Sequence, residues 1–351
     1  MPVNFRSDNE HPVAPEIMAA LAAAGTGMAH AYGDDPWTAR LEEQLARVFE
    51  RELAVFPLVS GTAANALAVA QTTPSWGGVI CHQDAHLHTD ECGAPEFYAS
   101  GVKLMPVAGE DGKLTAEAVE ARIANAGHAG DHSNRPTLLS LTQATEFGTV
   151  YSADEVAALA GVAAASGLCV HMDGARFANA LATTGCTPAE LTWRAGVDLL
   201  SFGATKNGAM MAEALLVFDP AHAVELGRRR KQAGHLLSKM RYVSAQLEAY
   251  LTDDLWLRLA AQANDMARRL VAGLEGIAVI RPAFPVQSNE VFLHMTPDLA
   301  AALRDDGIEF HEWPGRPGLF RFVTGFSTTE QDVDTFLTAA AAHCGHEPLT
   351  V

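Results

Sequence analysis

The sequence predicts an α/β fold: a large unit over residues 1–250, including the N-terminal segment and a mostly parallel sheet, followed by a smaller C-terminal α+β unit over residues 251–351. Three observations lead there. Short apolar runs suited to buried strands alternate with helical patterns, which is the order that parallel sheets with crossover helices produce. Residues 222–274 then read as helix with a break near Gly234, and residues 281–351 return to mixed strands and helices. A chain of 351 residues with 48% apolar composition can bury one large core and a satellite beside it.

Taken in order, Leu41, Leu45, Val48 and Phe49 recur at helical spacing after Pro36. Strand-like runs follow at 55–59, 78–81, 102–106, 137–141, 168–172, 199–202 and 215–218. Ser152 and Glu155 form a capping box before an Ala-rich helix, and Thr328 with Gln331 is expected to cap the last one. In such a sheet, ligands gather beyond the carboxyl ends of the strands.

The formal charge of -18 is spread along the chain, which argues for solubility and against nucleic acid as a partner. The run Arg228-Arg-Arg-Lys231 reads first as a solvated helix face. Cys81, Cys92, Cys169, Cys186 and Cys344 are odd in number and contain no C-x-x-C pair, the pattern of reduced thiols in a cytoplasmic protein. No apolar run reaches the roughly 20 residues a bilayer span needs, so no membrane partner is expected.

Three constellations could carry chemistry. Ser60-Gly61-Thr62 lies between a strand and a helix, where hydroxyls and free N–H groups make a seat for phosphate, although the same residues also suit an ordinary turn. His171-Met-Asp173-Gly-Ala-Arg176 sets an acid and a base at a strand end; Asp173 could face a protonated heterocyclic nitrogen, or pair structurally with Arg176. Ser201-Phe-Gly-Ala-Thr-Lys206-Asn-Gly holds a lysine among small residues, open to a bulky cofactor and suited to attack an aldehyde, with phosphate binding as the competing reading. Phosphate turn, aspartate and lysine, each after its own strand, together make the anchor, electronic tuner and Schiff-base residue of a pyridoxal 5'-phosphate (PLP) site. His82-x-x-x-His86-x-His88 could instead be read as a zinc site, but Gln83 weighs against this and no metal is expected.

With Phe5-Arg-Ser-Asp8, Tyr32-Gly-Asp-Asp-Pro36, Ser60-Gly-Thr-Ala-Ala-Asn65, Ala85-His86, His171-Met-Asp-Gly-Ala-Arg176, Thr205-Lys206 and Arg321-Phe-Val-Thr324, nearly the whole chain resembles the low-specificity L-threonine aldolases, grouped with the β-eliminating lyases. The resemblance implies the aspartate-aminotransferase-like fold (fold type I) and a PLP enzyme that cleaves β-hydroxy-α-amino acids to glycine and an aldehyde. It makes Lys206 the Schiff-base lysine, Asp173 the partner of the pyridine nitrogen, and Ser60, Gly61 and Thr62 the phosphate seat. It implies Ser7, Arg176 and Arg321 as holders of the substrate carboxylate, His86 as the residue stacked on the cofactor ring, and His132 as a second active-site histidine, with His128 its rival. Lys231 matches a family lysine near the site. A homodimer or homotetramer with shared sites is implied as well.

The chain departs from the commoner pattern where Leu141-Thr-Gln-Ala-Thr-Glu146 replaces Leu-Glu-Asn-Thr-His, and where Asn9 replaces a threonine. Both changes resemble a bacterial branch that includes aldolases acting on aromatic substrates such as phenylserine. An aminotransferase, a β-eliminating lyase and a non-catalytic PLP-binding scaffold are the alternatives on the same fold.

Overall fold

A computed structural model describes residues 2–126 and 130–344. The first strand, β1 (Val3–Asn4), joins the small unit and is placed with it below. All seven strand-like runs are strands of one sheet: β2 (Ala54–Leu58), β3 (Gly77–His82), β4 (Lys103–Val107), β5 (Arg135–Thr142), β6 (Cys169–Gly174), β7 (Leu199–Gly203) and β8 (Glu213–Val217). Their spatial order is β2-β8-β7-β6-β5-β3-β4. The pairs from β4 across to β7 are parallel, whereas β8 runs antiparallel to both β7 and β2.

β3, β7 and β8 are buried along their whole length, as strands covered by helices on both faces must be. Below β7 an aromatic layer fills the space to the helices: the Phe202 ring centroid lies 5.6 Å from Trp256 and 6.1 Å from Tyr250. Phe49, at the end of the helix Pro36–Val48, stacks on Phe177.

The expected break near Gly234 separates the helices Leu226–Gln232 and Arg241–Leu251; Gly234 itself has φ +81. A second break falls at Asp253 and Asp254, where both residues adopt positive φ before the helix Leu255–Ala272. That helix is shared. Trp256 and Ala260 pack into the large core, while Met266, Ala267 and Leu270 pack into the small one.

The small unit has a sheet of β9 (Arg281–Pro282), β10 (Glu290–His294), β12 (His311–Glu312) and β13 (Leu319–Val323), in the order β12-β13-β10-β9. β11 (Ile308–Glu309) pairs in parallel with β1, and Phe5 lies in the small-unit core between Phe322 and Phe336. Residues 3–5 of the segment expected with the large unit therefore complete the small one, whereas Ala14 and Ile17 pack into the large core. Thr329 with Asp332, rather than Thr328 with Gln331, forms the capping box of the helix Glu330–His343. Thr328 turns inward one residue earlier and accepts a hydrogen bond from Gly325 N–H.

Candidate active site

A cleft of ≈ 250 Å³ opens beyond the carboxyl ends of β5, β6 and β7, with Asp173, Lys206, His86, Gly61, Thr62 and Arg176 in its wall. On one side the helix Gly61–Thr72 points its first turn into the space. The Ser60 hydroxyl is committed to the helix, accepting from Ala63 N–H at 3.2 Å. The unsatisfied N–H groups of the first turn are left for an anion. A Cβ at Gly61 would meet nothing within 4 Å, so the backbone there is open to a ligand.

Asp173 is the penultimate residue of β6 and is 4% exposed. It accepts from Asn65 Nδ2 at 2.8 Å and from Ala175 N–H at 3.0 Å, and makes no ion pair among the described residues. The structural pairing with Arg176 is excluded: Arg176 gives Nε and Nη2 to Asp8, at 2.7 and 3.0 Å, and its Nη1 lies 3.1 Å from Glu290. A buried carboxylate held only by an amide and a backbone N–H calls for a cation from a ligand. A pyridinium nitrogen meets that requirement, so Asp173, Lys206 and the helix end at Gly61–Thr62 fit PLP.

Lys206 sits half-buried on the short 3-10 turn Thr205–Asn207. The turn is fixed from below, where Asn207 donates to the Tyr250 hydroxyl and to Trp256 C=O. It is fixed from the side by Glu213, which accepts from Thr205 N–H at 3.3 Å. Burial pushes the Glu213 carboxyl up to about 7, against the pull of Thr205 and Lys206. Beneath Asp173, His171 bridges Ser140 and Ser201 at 3.0 and 2.9 Å. Burial lowers its pKa to about 4, so this base is a neutral structural strut.

His86 opens a short helix after β3, its Nδ1 3.0 Å from Glu91. The hydrogen bond to Glu91 raises the imidazole's affinity for a proton, helped by the charges of Asp173 and Glu146 and opposed by burial. Glu146 accepts from His86 N–H at 2.9 Å and faces the same cleft. Burial first, and then the charges of Asp173 and Glu290, push its carboxyl up to about 7.

Other expected residues are placed differently. Ser7 caps the turn Asp8–Glu10, accepting from Asn9 N–H; Asn9, not Ser7, lines the cleft. Arg321 lies behind the wall, 3.6 Å from Glu290, with its guanidinium over Trp313. His132 belongs to an exposed turn before β5, at the amino end of the sheet. The eight residues of β5 separate it from the cleft by about 25 Å, so this chain alone does not bring it there. His128 lies outside the described residues. His82 contacts Gly109 C=O and His86 contacts Glu91, so the histidines of the zinc reading do not converge. In the basic run, Arg228 pairs with Glu225 on the surface, Arg230 covers Phe56 and Lys231 covers Tyr32.

The Beta-eliminating lyase family matches residues 4–297. The chain belongs to that family. A low specificity L-threonine aldolase of a Pseudomonas species is 45% identical over 94% of both chains, and one of Pseudomonas aeruginosa is 46% identical over 92% of this chain and 93% of its own. Among solved structures, a threonine aldolase of Leishmania major superposes with a TM-score of 0.92 at 29% identity, covering 98% of this chain and all of that one. An aspartate aminotransferase of Rhodobacter sphaeroides shares the fold, with a TM-score of 0.72 at 17% identity. The aspartate-aminotransferase-like fold of this beta-eliminating lyase family member is thereby shown. No helix among its described residues is long and apolar enough to cross a membrane.

Proposed function

We propose that the protein is a PLP-dependent aldehyde-lyase that cleaves L-threonine, L-allo-threonine and related β-hydroxy-α-amino acids to glycine and the matching aldehyde. The observation that carries this reading is the likeness to two low specificity L-threonine aldolases over more than nine-tenths of the chain. The cleft supplies groups suited to that chemistry. Bound there, PLP would provide an aldehyde for amine exchange and a ring to spread the electron pair left on Cα.

Lys206 would hold the cofactor and exchange with the substrate amine, Asp173 would keep the ring nitrogen protonated, and Gly61 with Thr62 would receive the phosphate. Arg176, in the wall of the cleft, would hold the substrate carboxylate, with Arg321 and Ser7 in the supporting roles that the family resemblance implies. Glu290 now stands between those two arginines, so the substrate would have to share or displace it. Cleavage moves the β-hydroxyl proton to a base, breaks Cα–Cβ, forms the aldehyde carbonyl and returns a proton to Cα. With Glu91 favouring a protonated ring, His86 is better suited to stack and to donate; Glu146 is the group poised to accept.

The substrate panel decides the matter. Purified, PLP-loaded protein incubated with L-threonine, L-allo-threonine or L-phenylserine should release glycine and aldehyde in equal amounts, in a ranking that tests the aromatic preference. A keto acid in place of aldehyde would identify an aminotransferase or β-eliminating lyase, and no product at all a PLP-binding scaffold. We further infer a homodimer or homotetramer, supported by the exposure of Met210 and Met211 just past Lys206, and a cytoplasmic location, supported by the odd number and scattered spacing of the cysteines. Light scattering would check the assembly.

A further inference from the structure

At the end of the sheet opposite the cleft, three side chains of different metal-ligand chemistry converge. Cys169 opens β6, Asp198 immediately precedes β7, and His222 lies in the turn Pro220–Ala223 that follows β8. Their ligand atoms all lie within 4.8 Å of one another. Cys169 Sγ is 3.4 Å from His222 Nε2. Zinc bonds of about 2.3 Å to sulfur and about 2.0 Å to nitrogen, at a tetrahedral angle, put those two atoms about 3.5 Å apart. The sulfur–nitrogen edge is therefore already at coordination distance, and a carboxylate oxygen of Asp198 lies within 4.8 Å of both atoms.

The scaffold beneath the three is rigid. Asp198 N–H donates to Val170 C=O while Val170 N–H donates to the Asp198 carboxylate, which fixes that carboxylate beside the start of β6. Phe218 N–H donates to Asp198 C=O, tying the exit of β8 to the same point. Asp219 then caps the turn, accepting from Ala221 N–H on its side chain and from His222 N–H on its carbonyl.

We propose that Cys169, Asp198 and His222 form a zinc site, with water as the fourth ligand, that clamps the amino ends of β6 and β7 to the exit of β8. A thiolate, an imidazole and a carboxylate suit zinc and exclude magnesium or calcium, which take oxygen ligands. On binding, the Cys169 thiol releases its proton to solvent, and thiolate plus carboxylate balance the charge of the dication. Four residues of strand put Cys169 some 13 Å from Asp173, about 3.3 Å per residue. The site is thus independent of the lyase chemistry and stands or falls without it.

The test uses the PLP-loaded protein, freed of metal with a chelator and titrated with Co²⁺, which reports thiolate coordination through a sulfur-to-metal charge-transfer band. Difference spectra against Cys169→Ser remove the cofactor's own absorbance. The wild type should take up one Co²⁺ per chain with that band, Zn²⁺ should bleach it, and Zn²⁺ should raise Tm by a few degrees. Cys169→Ser should lose the band, and His222→Ala, a change on a surface turn that spares folding, should weaken binding more than about 100-fold. Co²⁺ bound without the sulfur band, or equal uptake by wild type and His222→Ala, would overturn the proposal and leave the Cys169–His222 contact as a hydrogen bond.

Discussion

Glu146 changes what the cleft can do with a proton. A carboxyl raised to about 7 is half-ionised near neutrality, which is where a general base is most effective. Glu146→Gln should lower kcat for threonine cleavage by about 100-fold or more with KM little changed. In the wild type, cleavage should rise with pH through a limb at or below about 7, because a ring cation beside Asp173 would relieve part of the repulsion that raises Glu146. A pH profile unchanged by the substitution would assign the base elsewhere. Lys206 and Asp173 were legible from the sequence because each stands in a motif of small residues just past an apolar run. Glu146 was visible only as a departure from the family pattern, since its character comes from neighbours at positions 86, 173 and 290. His132 shows the converse: a motif match across a loop carries no information about which end of the sheet the loop serves, and in this chain that loop lies at the amino end.

The turns after β6 and β7 approach so closely that only glycine fits between them. A Cβ on Gly203 would sit 2.6 Å from Ala175 O and 2.8 Å from Ala175 Cα, both backbone atoms that cannot swing away. Gly203→Ala should therefore spread the turns bearing Asp173 and Lys206, and equilibrium dialysis should show PLP affinity falling at least tenfold, with a lower Tm. β8 makes a second element-scale prediction. Burial raises the Glu213 carboxyl from 4.5 to about 7, so its stabilising contribution is complete below about 4.5 and is lost as pH rises to about 7. In the PLP-free protein, Glu213→Gln should flatten the fall in unfolding free energy, read from urea melts between pH 5 and 7.5, by up to about 3 kcal/mol. β8 begins two residues before the apolar run 215–218 that predicts it, because a glutamate does not look buried. The seven apolar runs were otherwise sufficient to locate the strands, since strands covered on both faces must be apolar throughout.

At the scale of the whole molecule, one buried ion cluster joins three parts of the chain: Asp8 from the N-terminal segment, Arg176 from the turn after β6 and Glu290 from β10. Burial alone would raise the Asp8 carboxyl, but the charges of Arg176 and Lys206 and hydrogen bonds from Arg176 and Asn289 bring it down to about 2. Its contribution is present above about 3.8 and is lost only as pH falls toward 2, so mild acid should leave the two units docked. Arg176→Gln would leave Asp8 with Asn289 and Glu290 with the more distant Arg321 in place of a shared guanidinium, and should cost about 3 kcal/mol in a denaturation experiment, besides raising KM. None of this was legible in the sequence, where the partners stand at positions 8, 176 and 290; a motif shows that an arginine is present, not which carboxylates already hold it.

Phe5 fills a core built from residues 266 to 341, and its carbonyl accepts from Val323 N–H. During synthesis the start of the chain leaves the ribosome long before that core exists. The large unit can bury its aromatic layer and seat Lys206 while residues 3–5 still trail in water, awaiting partners more than 250 residues downstream. The first strand made is then among the last to dock, and its arrival brings Asp8 to Arg176 and closes one wall of the cleft, so a nascent chain stopped short of β13 would carry its lysine on a finished turn beside an unfinished wall.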